Sequence, residues 1–186
     1  MLTLNFDPFP ELSTARLILK RITSADLQEL FAIRSNKETM RFIPRPIAKV
    51  PADAQTVIDM IDTAINNNEG INWGLYPKDT NKLIGVLGYV RINKGNARAE
   101  VGYVLNADFH RKGYTEEALN EILNYGFTTL NFNCIEAVIN PENTPSVRLI
   151  EKLNFIKEGR FRDFTFHNEE FSDAFIYSKL KRENTA

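Results

Sequence analysis

The pattern of apolar and polar positions in the first third of the chain predicts one strand and two helices. In residues 15–22, ARLILKRI, apolar side chains are interrupted by basic ones, which is typical of a strand with one face near solvent. Thr23, followed three residues later by Asp26, predicts a capping box that opens a helix ending near residues 34–36. Residues 52–67 predict a second helix, because apolar residues recur there at helical spacing: Val57, Ile58, Ile61 and Ile65.

Three strand-like segments follow in quick succession. They are NWGLY (72–76), LIGVLGYVRI (83–92) and ARAEVGYVL (97–105). Turn-forming residues at 78–81 and 93–96 separate them. Strand segments this close together predict an antiparallel meander.

The period of the pattern then lengthens. Apolar residues recur at three and four over residues 118–130, which predicts a helix of about four turns. CIEAVI (134–139) predicts a buried strand, and a strand, helix, strand unit is expected to hold its two strands parallel with a right-handed crossover. A short helix over 146–153 follows, for which Thr144 is the expected N-cap and Pro145 the first helical residue.

The last part of the chain predicts a hairpin. Its strands are FIKEGRFRDFTF (155–166) and EFSDAFIYSKL (170–180), joined at His167 and Asn168, and residues 182–186 form a frayed tail. The predicted fold class is α/β (α+β mixed), with a mostly antiparallel sheet of about six to seven strands, a central parallel pair, and helices on both faces. A chain of 186 residues is expected to form a single domain, 1–186.

Composition excludes several classes of partner. The formal net charge is −1, so no strong field attracts nucleic acid or an anionic membrane, and neither partner is expected. The start of the chain lacks a secretory signal and no apolar stretch is long enough for a membrane span, so a cytoplasmic location is expected. Cys134 is the only cysteine, and His110 and His167 lie far apart. This spacing predicts no metal site.

The stretch FHRKGYTEEAL, residues 109–119, predicts a site for an anion. A helix that begins at Gly113 or Thr115, directly after a strand, points its first free N–H groups and its positive dipole end at the sheet edge. Gly113 lets a ligand approach the backbone, and Arg111 and Lys112 add positive charge. Phosphate is the usual ligand of such a helix start.

The same stretch also fits an ordinary helix start. Glu116 and Glu117 are favourable in any first helical turn, and an Arg-Lys pair is common on protein surfaces. The glycine pattern has neither a Walker lysine nor Rossmann spacing, which argues against a nucleoside triphosphate or a dinucleotide. Both interpretations remain open at this point.

Three segments resemble a known family in order and separation. AEVGYVL, FHRKGYTEEAL and NPENTPSVRLIEKLNF resemble the GNAT superfamily of acetyl-CoA dependent N-acetyltransferases. ELSTARLILKRIT and FSDAFIYSKL extend the resemblance over nearly the whole chain, to the branch that includes the ribosomal-protein-alanine N-acetyltransferases. The resemblance implies a GNAT-like sheet, acetyl-CoA as cosubstrate without a metal, and direct attack of a primary amine on the acetyl group.

The resemblance also implies which residues hold the cofactor. The loop before the central helix would bind pyrophosphate through its amides, although His110 and Thr115 depart from the family pattern; its residues are His110, Arg111, Lys112, Gly113, Tyr114 and Thr115. Asn143 and Ser146 match a second motif, which ends at Asn154 where glycine is usual. Asparagine tolerates the left-handed conformation required there. The amides of Val104 and Leu105 would be donors to the pantetheine arm or the acetyl oxygen.

Two residues are candidates for proton transfer. Alternation places Glu100 on one face of its strand with Arg98, where it is either a general base acting through water or half of a solvent-exposed ion pair. Ser146 either donates to the departing thiolate or only completes a helix start. The rival acids are Tyr103, Tyr114 and Tyr177. Cys134 is expected to be a packed core thiol.

The acceptor remains open among several amines. The resemblance points to a protein N-terminus, with a ribosomal protein as one acceptor, and the alternatives are a small amine (polyamine or antibiotic) or a non-catalytic regulatory module that only binds CoA. The first two helices and the last hairpin are expected to form the acceptor pocket. A homodimer is also open.

Overall fold

The structure is a computed structural model that describes residues 2–167 and 169–184. Across these residues the strands form a mixed sheet in the order β1-β2-β3-β4-β5-β6-β8-β7. The strands are β1 (Leu12–Ser13), β2 (Leu17–Lys20), β3 (Ile71–Pro77), β4 (Gly85–Asn93), β5 (Arg98–Leu105), β6 (Cys134–Ile139), β7 (Ile156–His167) and β8 (Glu170–Leu180). The helices are α1 (Leu27–Ser35), α2 (Lys37–Met40), α3 (Pro51–Asn66), α4 (Tyr114–Thr128) and α5 (Thr144–Lys152).

The predicted fold class is confirmed. The sheet has eight strands in the described residues rather than six to seven, because Leu12 and Ser13 pair with Leu19 and Ile18. A strand of two residues is too short to produce an alternating pattern, so the sequence did not reveal it. The parallel pair joins β5 to β6 as predicted, and every other pairing is antiparallel.

Most helix starts agree with the sequence, and one does not. The capping box of Thr23 and Asp26 is present, before a 3-10 turn that leads into α1. The prediction of Thr144 as N-cap of α5 is wrong: Asn143 caps this helix, because its Oδ1 accepts from the Ser146 N–H at 3.3 Å. Asn154 has φ 61°, so it adopts the left-handed conformation expected after α5.

The end of the chain differs slightly from the prediction. Lys181–Glu183, which overlaps the predicted frayed tail, forms a 3-10 turn. The Leu180 N–H donates to Glu183 Oε2 at 2.9 Å and holds this turn. Residue 168 of the predicted hairpin turn and residues 185–186 lie outside the described residues.

Helices pack on both faces of the sheet. Leu30 of α1 and Ile58 of α3 join one buried cluster, whereas Ile122 and Phe127 of α4 join the other. Successive side chains of a strand point to opposite faces of the sheet. Val86 therefore packs in the cluster of α1 and α3, and its neighbour Leu87 packs in the cluster of α4. Burial of one such side chain contributes roughly 1.5–3 kcal/mol, so both faces of the central strands stabilise the sheet.

The parallel pair is short, and this creates a gap in the sheet. β5 and β6 are paired only from Arg98 to Glu100, opposite Cys134 to Glu136. Beyond this point β5 continues to Leu105 beside β4, while β6 continues to Ile139 beside β8. The two strands therefore separate, and among the described residues no strand pairs with the β6 side of β5 after Glu100. We call the space between these segments the gap.

Candidate active site

The register of β5 decides which backbone groups face the gap. The Asn106 N–H donates to the Ile84 carbonyl at 2.8 Å, so it points toward β4. Because N–H directions alternate along a strand, the Val104 N–H also points toward β4, and those of Tyr103 and Leu105 point into the gap. This register corrects the prediction that the Val104 amide is a ligand donor: it is used within the sheet. Tyr103 takes its place beside Leu105.

His110 lies beside the last residue of β5, at the end of the gap opposite to Glu100. Its Nε2 lies 3.0 Å from the carbonyl oxygen of Leu105. Because a carbonyl oxygen only accepts hydrogen bonds, Nε2 is the donor in this contact. His110 therefore holds the end of β5 against the loop that leads into α4.

The loop before α4 leaves helical N–H groups unpaired. Arg111 and Gly113 both have left-handed backbones, with φ 59° and 78°, and Gly113 is the N-cap of α4 without a side-chain cap. The first backbone bond of the helix runs from the Glu117 N–H to the Gly113 carbonyl at 3.1 Å. Within the described residues, the N–H groups of Tyr114 and Thr115 have no acceptor. Such groups, at the positive end of the helix dipole, fit an anion.

Both glutamates of the first turn are paired with basic residues. Glu117 accepts hydrogen bonds from the Arg16 N–H at 2.7 Å and from Arg16 Nε at 2.6 Å. Glu116 forms an ion pair of 2.8 Å with Lys152. Each carboxylate is thus held by a cation, which offsets part of its repulsion of an anion bound at the start of α4. The exposed side chains of Arg111 and Lys112 keep the surroundings positive.

Glu100 lies at the closed end of the gap, where it is mostly buried. Its side chain is 17% exposed, and its Oε2 lies 3.2 Å from Arg91 Nη1. Burial raises the pKa of Glu100, the nearby Arg91 opposes this, and Glu136 adds to the rise. Arg98 instead pairs with Glu136. The alternative of an exposed Arg98–Glu100 pair is thus excluded, and Glu100 has the environment of a proton acceptor.

Tyr103 brings a proton donor to the opposite face of β5. Its buried hydroxyl has no hydrogen-bond partner in the described part of the chain. Burial raises the pKa of Tyr103 to about 12, although the Ser146 side chain is close enough to lower it somewhat without reaching full hydrogen-bond geometry. The hydroxyl is therefore protonated at neutral pH. Ser146 itself is held by the bond from its N–H to Asn143.

The other two tyrosines have different partners. The Arg16 guanidinium stacks on the ring of Tyr114, with its carbon 4.5 Å from the ring centroid. The Tyr177 hydroxyl donates to Glu151 at 2.9 Å. Sequence alone could not rank the three tyrosines, whereas these contacts favour Tyr103 as the available donor.

Glu100 and Tyr103 approach the gap from different faces of the sheet. Glu100 shares its face with Val104, which packs against the α1–α3 cluster. Tyr103 packs against the cluster of α4 and α5. A group that spans the gap would thus meet a base on one face and a proton donor on the other. This arrangement suits transfer of an acyl group, in which one proton is removed and another is supplied.

Three further expectations concern a metal site, a membrane span and the single cysteine. Over residues 2–167 and 169–184, no group of three or more His, Cys, Asp or Glu could hold a metal ion. In the same residues no helix is long and apolar enough to cross a membrane. Cys134 is buried, and burial raises the pKa of its thiol, so it lacks the properties of an activated nucleophile.

Comparison with known proteins agrees with this geometry. Residues 16–156 match the family described as acetyltransferase (GNAT) domain. The chain is also 36% identical over 173 residues to the uncharacterized N-acetyltransferase p20 of Bacillus licheniformis, which covers 92% of this chain and 97% of that protein. The chain belongs to the GNAT acetyltransferase family. This GNAT protein is therefore an acyltransferase that depends on acetyl-CoA.

Solved GNAT structures share its fold. A GNAT acetyltransferase from Bacillus anthracis superposes with a TM-score of 0.84 at 27% identity, covering 94% of this chain and 100% of that one. The ribosomal-protein-S5-alanine acetyltransferase of Vibrio fischeri gives 0.78 at 20% identity, covering 95% and 100%. Spermidine N-acetyltransferase of Vibrio cholerae, solved with CoA and spermine, gives 0.80 at 22% identity, covering 91% and 98%. The resemblance to the GNAT superfamily is confirmed.

Sequence reasoning missed three residues that shape this site. Arg16 and Thr14 bind Glu117 from about a hundred positions away, and no local pattern indicates such a contact. Glu136 was interpreted only as part of a buried strand. Its proximity to Glu100 follows from the register of the parallel pair, which a single sequence does not specify.

Proposed function

We propose that this GNAT protein acetylates the N-terminal amine of a polypeptide. The observation that carries the choice of acceptor is the pairing of the two carboxylates at the gap: Glu100 lies beside Arg91, and Glu136 beside Arg98. A polyamine with several positive charges needs unpaired carboxylates, whereas a single amine at the end of a polypeptide does not. A ribosomal protein is one acceptor of this class.

The gap and the start of α4 fit acetyl-CoA. The N–H groups of Gly113, Tyr114 and Thr115 would hold the pyrophosphate, with Arg111 and Lys112 adding charge. The N–H groups of Tyr103 and Leu105 would bond along the pantetheine arm. His110, Asn143 and Ser146 follow the C-terminal ends of β5 and β6 and would shape the open end of this binding site. The fit rests on unpaired donors in the described residues, those of the helix start and the Tyr103 hydroxyl.

The chemical step needs one base, oxyanion donors and one acid. Glu100 takes a proton from the amine, directly or through water, and the amine nitrogen attacks the acetyl carbon. The N–H of Tyr103 or Leu105 stabilises the negative charge that develops on the acetyl oxygen. The carbon–sulfur bond then breaks, and Tyr103, assisted by Ser146, gives the thiolate its proton. Acetyl-CoA supplies the activated thioester.

A polypeptide would dock along the hairpin of β7 and β8. Phe161 and Phe164 are 53% and 45% exposed, and their ring centroids lie 5.6 Å apart. Phe161 pairs with Ala174, and alternation places it on the same face as Glu136. Exposed apolar side chains of this kind mark surfaces that bind other molecules.

Mass spectrometry of acetylated products tests this function. The protein is incubated with labelled acetyl-CoA and three acceptor classes: peptides with free N-termini, spermidine, and an aminoglycoside. We expect label on peptide N-termini, and Phe161→Ser should raise KM for peptides without changing CoA affinity. Preferential labelling of spermidine or the aminoglycoside would refute the proposal that the acceptor is a polypeptide N-terminus. CoA binding without product in a broad panel, and no effect of Glu100→Gln, would favour a regulatory module.

The homodimer is a separate proposal. β7 is the outer strand of the sheet, and Phe166 and Phe171 on its hairpin are 62% and 64% exposed, with ring centroids 4.7 Å apart. An exposed edge strand can pair with its own copy about a twofold axis. Sedimentation velocity should therefore give a dimer that Phe171→Asp converts to a monomer. A wild-type monomer at micromolar concentration would refute this.

A further inference from the structure

Arg16 connects the turn between β1 and β2 to the start of α4. Its Nε donates to Glu117 Oε2 at 2.6 Å, and its Nη1 donates to the Lys112 carbonyl at 2.9 Å. The Thr14 hydroxyl donates to the same glutamate at 2.5 Å. One arginine thus joins a side chain of the helix to the backbone of the loop in front of it.

The bond to Lys112 fixes the direction of one particular N–H group. In a trans peptide unit the carbonyl and the following N–H point in opposite directions. Because Arg16 holds the Lys112 carbonyl on its own side, the Gly113 N–H is turned the opposite way, away from Arg16. Glu117 in turn holds Arg16 in place, because it accepts one hydrogen bond from the Arg16 guanidinium and one from the Arg16 backbone N–H.

The loop needs such support because its backbone is unfavourable. Arg111 has φ 59°, a left-handed conformation that is strained for a residue other than glycine. A Cβ on Gly113 would lie 3.3 Å from Arg16 Nη2, so the loop also packs closely against the guanidinium. A conformation of this kind persists only when surrounding contacts hold it.

We infer that Arg16 and Glu117 form a clamp that positions the Lys112–Gly113 peptide for binding the pyrophosphate of CoA. The inference rests on the proposed function, since it assumes the anion site at the start of α4. Arg16 is a positioning residue in this account, because it acts through the loop backbone. Glu117 improves anion binding although it carries a negative charge.

The sign of the Glu117 effect separates the clamp from simple electrostatics. Removing a negative charge near an anion site normally strengthens anion binding. If Glu117 acts as part of a clamp, its removal should instead weaken anion binding. Glu116 offers a matched control, because it is the neighbouring glutamate in the same helical turn and is paired with Lys152 instead.

Isothermal titration of the full chain with CoA and with pantetheine tests the clamp. Pantetheine lacks the pyrophosphate and the adenosine 3′-phosphate of CoA, so it reports damage to the pantetheine end of the site. We expect Arg16→Ala to weaken CoA binding roughly tenfold and Glu117→Gln roughly threefold, with pantetheine unchanged. Glu116→Gln should not weaken CoA binding, and Arg21→Ala, which breaks the distant pair with Asp62, should have no effect. KM for acetyl-CoA should rise in the clamp variants while kcat at saturation is retained.

Other results of these titrations would contradict the clamp. If Glu117→Gln tightens CoA binding as Glu116→Gln does, electrostatics alone acts and the clamp is refuted. If Arg16→Ala weakens CoA while Glu117→Gln does not, Arg16 contacts the ligand itself. Equal losses for CoA and pantetheine would indicate general structural damage, and Arg16→Lys serves if the alanine variant does not fold. Equal binding of CoA and pantetheine by the wild-type protein would refute the anion site itself, and the clamp with it.

Discussion

Glu100 of β5 and Glu136 of β6 face each other in the last pair that joins the two parallel strands. Directly opposite residues of neighbouring strands share a face, so the two carboxylates lie together where the gap begins. Their mutual repulsion is one reason that the pKa of Glu100 is raised, after burial as the larger cause. The pair at which β5 and β6 begin to separate is therefore also the pair whose repulsion helps to raise the pKa of Glu100.

Loss of the Glu100 carboxylate should slow acetyl transfer. Glu100→Gln keeps the shape of the side chain but cannot accept the proton, so we expect kcat/KM to fall roughly 100- to 10,000-fold. CoA affinity, measured by titration, should not change. A variant with wild-type kcat/KM would exclude Glu100 as the base.

The pH profile should report the environment of Glu100. Since its pKa is raised, the acidic limb of kcat/KM against pH should lie above the ordinary glutamate value of about 4.3. Glu136→Gln removes a charge that raises this pKa, so the limb should move to lower pH. An unmoved limb in this variant would mean that Glu136 does not act on the base.

Glu100 should also reduce the stability of the fold at neutral pH. A carboxyl group whose pKa is higher in the folded state destabilises that state where it is ionised, above the folded pKa, and has no effect below the unfolded pKa. Glu100→Gln should therefore raise the free energy of unfolding at pH 7–8. The difference should disappear below about pH 4, near the unfolded value. Denaturant titrations at both pH values measure this, and a variant less stable than wild type at neutral pH would contradict it.

Tyr103→Phe should separate catalysis from stability. Its hydroxyl is buried without a partner, and such a group costs about 1–3 kcal/mol, so its removal should maintain or raise the free energy of unfolding. Acetyl transfer should nevertheless slow, because the thiolate loses its proton donor. Tyr177→Phe is the matched control: it loses a hydrogen bond to the Glu151 carboxylate, which contributes about 1.5–3 kcal/mol to stability, and it should retain its rate. Equal rates for both variants would exclude Tyr103 as the acid.

The local parts of this architecture could be predicted from sequence. The helices over residues 52–67 and 118–130 and the strand at 134–139 were evident from their periods, because side-chain spacing follows from backbone geometry. The N-cap of α5 was misplaced by one residue, since Asn143 and Thr144 are both suitable caps.

The non-local parts required the structure. The direction of the Val104 N–H depends on the pairing of Asn106 with Ile84, which a sequence pattern does not specify. Arg16, the partner of Glu117, lies in the turn between β1 and β2, far away in sequence. The cationic partners of the two glutamates after Gly113, Arg16 for Glu117 and Lys152 for Glu116, were not foreseen either.

A crystal structure of the protein with CoA tests the central claim most directly. We predict that the pyrophosphate contacts the N–H groups of Gly113, Tyr114 and Thr115, and that the pantetheine arm bonds to the N–H groups of Tyr103 and Leu105 with its sulfur near the Tyr103 hydroxyl. Pyrophosphate bound elsewhere, or a pantetheine arm outside the gap between β5 and β6, would contradict the account.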